Sequence, residues 1–338
     1  MNELHGGNIW KYPECCDFSA NLNPLGMPES VRQAVIGGAE LWAHYPDPEC
    51  RALREQLACK EHCPAAQIVC GNGADDLLWR IVQTLRSKRA LIAVPAFSEY
   101  RRALASVGCT VETFVLAPEN GFVLPESFLH ALHPGLELVI LCHPNNPTGR
   151  LIPPALLQEI SRICAQNGTH LLLDACFHDL TMQPGELPRD PHTIVLNAFT
   201  KTYAMPGLRL GYAVFSDAAL AARVQDTGQF WSVSVPAQTA GMAALEESAY
   251  LHEARQMIAE ERSFLTEALQ ALSMEVFPSD GNFLLFRART GLFQDMQEAH
   301  FLIRSCANFE GLDETFYRIA VRPHGENERL IEALRRCL

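Results

Sequence analysis

The stretch TIVLNAFTKTYAMPGLRLG, residues 193–211, decides how this chain is read. It opens as an apolar run of strand length and carries Lys201 just beyond it. The chain has only four lysines, Lys11, Lys60, Lys88 and Lys201. Lys60 and Lys88 stand in polar contexts, ACKEH and RSKRA, which predict solvated positions; Lys11 belongs to an N-terminal arm. Lys201 differs, because an ammonium beside a buried strand needs a partner or a depressed pKa. A lysine with a depressed pKa is the nucleophile that forms an imine with an aldehyde. Taken alone, a structural ion pair accounts for Lys201 equally well. Eight residues on, Arg209 lies between Gly207 and Gly211, a setting in which a guanidinium can approach a phosphate closely. By itself it reads better as an arginine on a turn.

Working outward, short apolar runs alternate with helical patterns. Strands are predicted at 67–70, 90–94, 110–115, 136–142, 170–174, 193–197 and 211–215. The clearest helices fall at 75–86, 98–107, 153–166 and 217–229. Continuous apolar strands with helices between them predict an α/β domain built on a mainly parallel sheet covered on both faces. Ligands of such sheets sit at the carboxyl ends of the strands. Beyond Pro236 one long helical stretch, 237–272, is followed by short strands near 282–286 and 317–321. The expected division is an N-terminal arm (1–26) lying on a smaller α+β lobe (236–338), with a large domain (27–235) between them.

The loops at the strand ends carry the chemistry. Residues 70–76, CGNGADD, run from a strand into a helix; Gly73, Ala74 and Asp75 form its opening, where free N–H groups attract an anion. The dinucleotide spacing fails because Asp76 stands where a third glycine is required, and no GK[ST] follows. The loop therefore suits a single phosphate, although a plain tight turn also fits it. Asp174 ends a strand, where a carboxylate needs a cationic or hydrogen-bonding partner. A pyridinium N–H would serve, as would a helix cap or an ion pair. Asn146, in HPNNPTG (143–149), can donate to a phenolate oxygen, and its bond to Pro147 is a candidate cis peptide. Phe97 can stack on a flat ring or fill the core. Together these residues meet the needs of one cofactor.

Bulk properties narrow the classes. The chain has 338 residues, 48% hydrophobic and 20% charged, with a formal charge of −12. That balance argues against nucleic acid or an anionic membrane as partner. No stretch reaches the ~20 apolar residues of a membrane span. The opening MNELHGGNIW lacks a signal pattern, so cytoplasmic residence is expected. The twelve cysteines read as reduced, mostly small hydrophobes; Cys59 and Cys63 beside Glu61 and His62 make a weak metal spacing, and no metal site is expected.

GNGADDLL, HPNNPTG, the strand ending in Asp174, and TKTYAMPGLRLG together resemble the aspartate aminotransferase superfamily of fold-type I pyridoxal 5'-phosphate (PLP) enzymes, over nearly the whole length. The resemblance implies a seven-stranded, mainly parallel sheet between helices, and PLP held by Lys201 as a Schiff base. It implies that Asp174 pairs with the ring nitrogen, Asn146 with the ring oxygen, and Phe97 with the ring face. Gly73, Ala74, Asp75, Thr200 and Arg209 would hold the phosphate, joined by Tyr45 from a neighbouring subunit, which implies a homodimer. Two branches are similar: threonine-phosphate decarboxylases and histidinol-phosphate aminotransferases. HGGN (5–8), DFSANLNPLG (17–26) and residues 302–322 read closer to the first. The implied substrate is a small phosphorylated amino acid, L-threonine O-3-phosphate or its serine analogue, decarboxylated to an amino-alcohol phosphate for cobamide synthesis. His5, Gly7, Asn8, Asn23, Asn146, Arg304, Arg318 and Arg322 are its expected contacts. The sequence departs from the pattern at Ala198, where relatives carry a hydroxyl, and at Ala175, Cys176 and Phe177, where a glutamate and an Ala-Tyr pair are common. A PLP-fold protein without catalysis is the remaining reading, and intact Lys201, Asp174 and Arg209 argue against it.

Overall fold

The computed structural model describes residues 5–338. Seven strands form the central sheet: β2 (Ile68–Gly71), β3 (Arg89–Val94), β4 (Thr110–Val115), β5 (Leu138–Cys142), β6 (His170–Asp174), β7 (Thr193–Ala198) and β8 (Gly211–Phe215). Ahead of them lies a two-residue strand, β1 (Cys16–Asp17). The order across the sheet is β2-β8-β7-β6-β5-β3-β4. All seven lie where the sequence predicts them, with ends shifted by two residues at most. Neighbours are parallel except β8, which runs antiparallel to both β2 and β7.

Side chains alternate between faces because strand geometry has a period of two. Leu138, Ile140 and Cys142 join one cluster with the helices Ala74–Leu85 and Ser98–Ser106. Val139 and Leu141 join another with the helix Pro154–Asn167. The sheet is thus covered on both sides. Register then sets the functional edge. Cys142 pairs with Asp174, and Asp174 with Leu196, so the segments after β5, β6 and β7 leave the sheet side by side. Being antiparallel, β8 begins at that same edge, where Gly211 pairs with both Ala198 and Gly71.

A second sheet, β12 (Arg304–Ser305), β13 (Phe316–Ala320), β10 (Phe283–Arg287) and β9 (Glu275–Val276), is antiparallel throughout. The N-terminal segment is tied to this region, since β1 pairs with β11 (Phe301–Leu302) and Phe18 packs with Phe286 and Ile319.

Two expectations change. The stretch 237–272 is two helices, Val235–Leu245 and Ser248–Ala271. They part because they bury different faces: Ala237, Ala240 and Ala244 pack with Val31 and Leu53, whereas Leu265 and Leu269 pack with Leu284 and Phe286. Lys60 is not simply solvated. Its Nζ donates to Asp179 at 2.7 Å and to the Tyr212 hydroxyl at 3.0 Å, with Glu61 at 3.6 Å. Burial works against its charge, but Tyr212, Asp179 and Glu61 outweigh that and hold its pKa well above the usual lysine range. This cluster braces the segment that follows Asp174. Lys60→Met should therefore cost about 3 kcal/mol of unfolding free energy, because it leaves a largely buried carboxylate unpaired. Urea denaturation checks this; a loss below about 1 kcal/mol would place the cluster among ordinary surface pairs.

Candidate active site

A cavity of about 520 Å³ opens at the strand edge just described. Lys201 stands on a short helical turn, Phe199–Thr202, immediately after β7. It lines the cavity and makes no ion pair or side-chain hydrogen bond among the described residues. Burial, followed by the charges of Arg318 and Arg209, lowers its pKa to about 8. An amine so placed is available as a nucleophile near neutral pH.

Asp174, buried at the end of β6, faces the same space. Its Oδ2 accepts from the Tyr100 hydroxyl at 2.6 Å and its Oδ1 from the Cys176 N–H at 3.0 Å. These two donors fix the carboxylate plane and leave lone pairs for a ring N–H. Burial, then the Asp174 charge, pushes the Tyr100 phenol well above its usual range, so it stays a donor. Tyr100 is a site residue that sequence reading missed. Its only signal is the three-residue step from Phe97, one helical turn on.

Asn146 lies between Asp174 and the second sheet. Its Oδ1 accepts from Arg318 Nη1, which turns its amide N–H₂ toward acceptors in the cavity. The Asn146–Pro147 bond is cis, as are Val94–Pro95 and His143–Pro144. Phe97 lines the cavity with its ring edge-on to Tyr100, centroids 5.7 Å apart.

The helix Ala74–Leu85 begins beside the same cavity. Ala74, Asp75, Thr200 and Arg209 all line this region, and Arg209 lies against Gly73. A helix N-terminus with a hydroxyl and a guanidinium beside it is a phosphate site. Burial, then Glu99, raises the Asp75 pKa.

The second sheet closes the cavity with two arginines. Arg304 on β12 and Arg318 on β13 are direct cross-strand partners, and both are buried. Arg318 donates to Ser19 O at 2.7 Å, and Arg304 to Asn308 Oδ1 at 2.7 Å. Burial is the main cause that lowers the Arg318 pKa to about 10. Like charges directly opposite each other destabilise a sheet, so this pair suits an anion between them. His5 joins them at the cavity wall.

Other expected contacts lie elsewhere. Asn23 does not line the cavity: its amide donates to Thr202 O and accepts from Leu25 N–H, so it holds the turn that carries Lys201. Asn21, two residues earlier, does line it. Arg322 pairs with Glu326 at 2.9 Å, outside the lining. Gly7 donates its N–H to Ser19 Oγ, and Asn8 borders a small adjoining pocket with His5 and Arg304. Tyr45 is 78% exposed and stacks on Trp231, with ring centroids 4.4 Å apart.

The residues present fit PLP. An amine, a ring-nitrogen acceptor, an amide donor, an aromatic ring and a phosphate cradle share one cavity. Buried polar atoms are nearly always bonded, yet Asn21 Oδ1, Asp75 Oδ1 and Arg318 Nε have no hydrogen-bond partner among the described residues, and all three belong to cavity-lining residues.

Comparison with known proteins agrees. Residues 13–336 match the family described as aminotransferase class I and II. The threonine-phosphate decarboxylase of Salmonella typhimurium is 40% identical, covering 100% of this chain and 97% of that protein. A histidinol-phosphate aminotransferase of Desulfitobacterium hafniense is 32% identical over 95% of this chain and 91% of its own length. The crystal structure of the histidinol-phosphate aminotransferase from Clostridium acetobutylicum superimposes with a TM-score of 0.88 at 27% identity, covering 94% of this chain and 98% of that one. With its fold-type I sheet and its lysine at the carboxyl edge, the chain belongs to the aminotransferase class I and II family of PLP-dependent enzymes.

Proposed function

We propose that this protein decarboxylates a small phosphorylated amino acid, L-threonine O-3-phosphate by preference, to the corresponding amino-alcohol phosphate used in cobamide assembly. The observation that carries this reading is the buried cross-strand pair Arg304–Arg318, which lines the cavity together with His5 and is distinct in sequence and sheet from the Ala74, Asp75, Thr200 and Arg209 cradle. Two separate cationic sites suit two phosphates, one of the cofactor and one of the substrate. The 40% identity to a decarboxylase over the full chain supports the same branch.

Bound PLP supplies an electron sink for the substrate bond that stands perpendicular to its ring. The protein decides which bond that is. Arg304 and Arg318, engaged with the substrate phosphate, leave the α-carboxylate without that anchor and free to stand upright. Asp174, oriented by Tyr100, would hold the proton of the ring nitrogen. Asn146, oriented by Arg318, would donate to the ring oxygen. Lys201 Nζ, on its turn braced by Asn23, delivers a proton to the α-carbon after carbon dioxide leaves. Serine phosphate differs by one methyl, worth only about 1–3 kcal/mol in a pocket. Similarity to histidinol-phosphate aminotransferases favours a second reading, in which Arg318 grips the carboxylate and the α-hydrogen is lost.

Incubation of the holoenzyme with L-threonine O-3-phosphate separates the two. We expect stoichiometric carbon dioxide and amino-alcohol phosphate; a 2-oxoglutarate-dependent product from histidinol phosphate, without carbon dioxide release, would establish the aminotransferase.

The Lys201 pKa gives a second expectation. Only the neutral amine attacks the aldehyde. The rate at which cofactor-free protein captures PLP should rise roughly tenfold per pH unit and level off near pH 8. A rise that continues to pH 10 would mean that Lys201 titrates as an ordinary lysine.

A homodimer completes the reading. Tyr45, Trp231, Phe230 and Trp42 are exposed; Tyr45 stacks on Trp231, and Phe230 meets Trp231 edge-on. Such a patch suits a subunit interface rather than solvent, and Tyr45 within it is our candidate for a residue offered to a neighbouring subunit's phosphate site. Sedimentation should give a dimer, and Trp231→Glu should shift it toward monomer and weaken cofactor retention.

A further inference from the structure

We propose that Glu99 is a positioning residue that docks the N-terminal arm over the substrate end of the cavity through His5. The proposal rests on the reading that a substrate phosphate binds beside His5, Arg304 and Arg318.

Glu99 occupies the first turn of the helix Ser98–Ser106, between Phe97 and Tyr100. Its side chain is only 5% exposed, and a buried carboxylate is kept only where cations hold it. Two do so. Arg102 donates from Nη1 to both carboxylate oxygens, at 2.7 and 2.8 Å. His5 Nε2 meets Oε1 at 2.8 Å, across 94 residues of sequence. Asp75 is a further charged group near this cluster: Glu99, His5 and Arg102 all act on it, as does Arg209. His5, Glu99 and Arg102 all line the main cavity, and His5 also borders the small pocket shared with Arg304.

The arm reaches this position by a close approach. A Cβ on Gly6 would sit 2.3 Å from Ser19 O, so only glycine permits the contact. The next N–H, of Gly7, donates to Ser19 Oγ at 2.8 Å, and Ser19 O accepts from Arg318. The HGG sequence thus lays the arm against the same residue that holds Arg318. Glu99 supplies the other anchor. His5 is 43% exposed at its side chain, so burial alone does not fix its ring and these polar ties orient it.

A carboxylate in this position fixes the His5 ring, and so sets the direction in which its other ring nitrogen faces. Glu99 touches neither the cofactor nor the reacting carbon; it acts through His5. The expected consequence is on substrate binding rather than on turnover.

The test uses holoenzyme carrying Glu99→Gln, His5→Ala or both. Without substrate, backbone amide exchange at Gly6, Gly7 and Asn8 should accelerate in Glu99→Gln. Unchanged exchange would overturn the docking role, whatever the substrate proves to be. With L-threonine O-3-phosphate, KM should rise about ten- to hundredfold, as for loss of one charge-assisted hydrogen bond, while kcat falls much less. In the His5→Ala background, Glu99→Gln should raise KM no further. Additive effects of the two substitutions, or a loss confined to kcat, would overturn action through His5. Accelerated exchange with no change in KM would overturn the link to substrate. If wild-type enzyme releases no carbon dioxide, the substrate reading fails, and the exchange result still decides whether Glu99 docks the arm.

Discussion

The site depends on one close contact at the sheet edge, where Gly211 is held between Gly71 and Ala198. A side chain there would meet Ala74 N at 2.5 Å and Gly73 C at 2.7 Å. This contact seats the antiparallel strand β8 beside β2, and so brings Arg209 to the start of the helix Ala74–Leu85. It also fixes β7, whose end carries Lys201. A fully parallel sheet would send the segment before β8 to the opposite edge, far from the other loops. One strand reversal and one residue without a side chain therefore assemble the cofactor-phosphate cradle and set its distance from the amine.

A second constraint acts across the cavity. Arg304 and Arg318 face each other on neighbouring strands, and both are buried. Desolvation and mutual repulsion make this arrangement costly without an anion. Ser19 O and Asn146 Oδ1 accept from Arg318, and Asn308 Oδ1 accepts from Arg304. Aromatic faces add to the hold, with Phe283 5.5 Å from Arg318 and Phe309 5.3 Å from Arg304.

Much of this was legible in the sequence because its signals are local. The strands are continuous apolar runs, and their alternation with helices specifies the layered sheet. Lys201, Asp174, Asn146 and Phe97 each stand just past a strand end, so topology alone gathers them. What escaped was non-local. Nothing near Tyr100 shows that its hydroxyl meets Asp174, 74 residues away. The ACKEH context of Lys60 hides partners 119 and 152 residues distant. Asn21 and Asn23 stand two apart in one polar segment, and only the folded path shows that Asn21 lines the cavity while Asn23 braces a turn. Arg322 carries the same charge as Arg318, yet it lies past the end of β13, where Glu326 holds it.

The cations that suit the site to anions also govern its nucleophile. Arg318 and Arg209 each lower the Lys201 pKa, in addition to the larger effect of burial, while Cys176 and Asp17 act the other way. Under the proposed reading, a phosphate held by either arginine would offset one of the two lowering charges and raise the affinity of Lys201 for its proton. Changing either arginine would disturb both anion binding and that affinity, which is why binding and proton transfer at this site are physically inseparable.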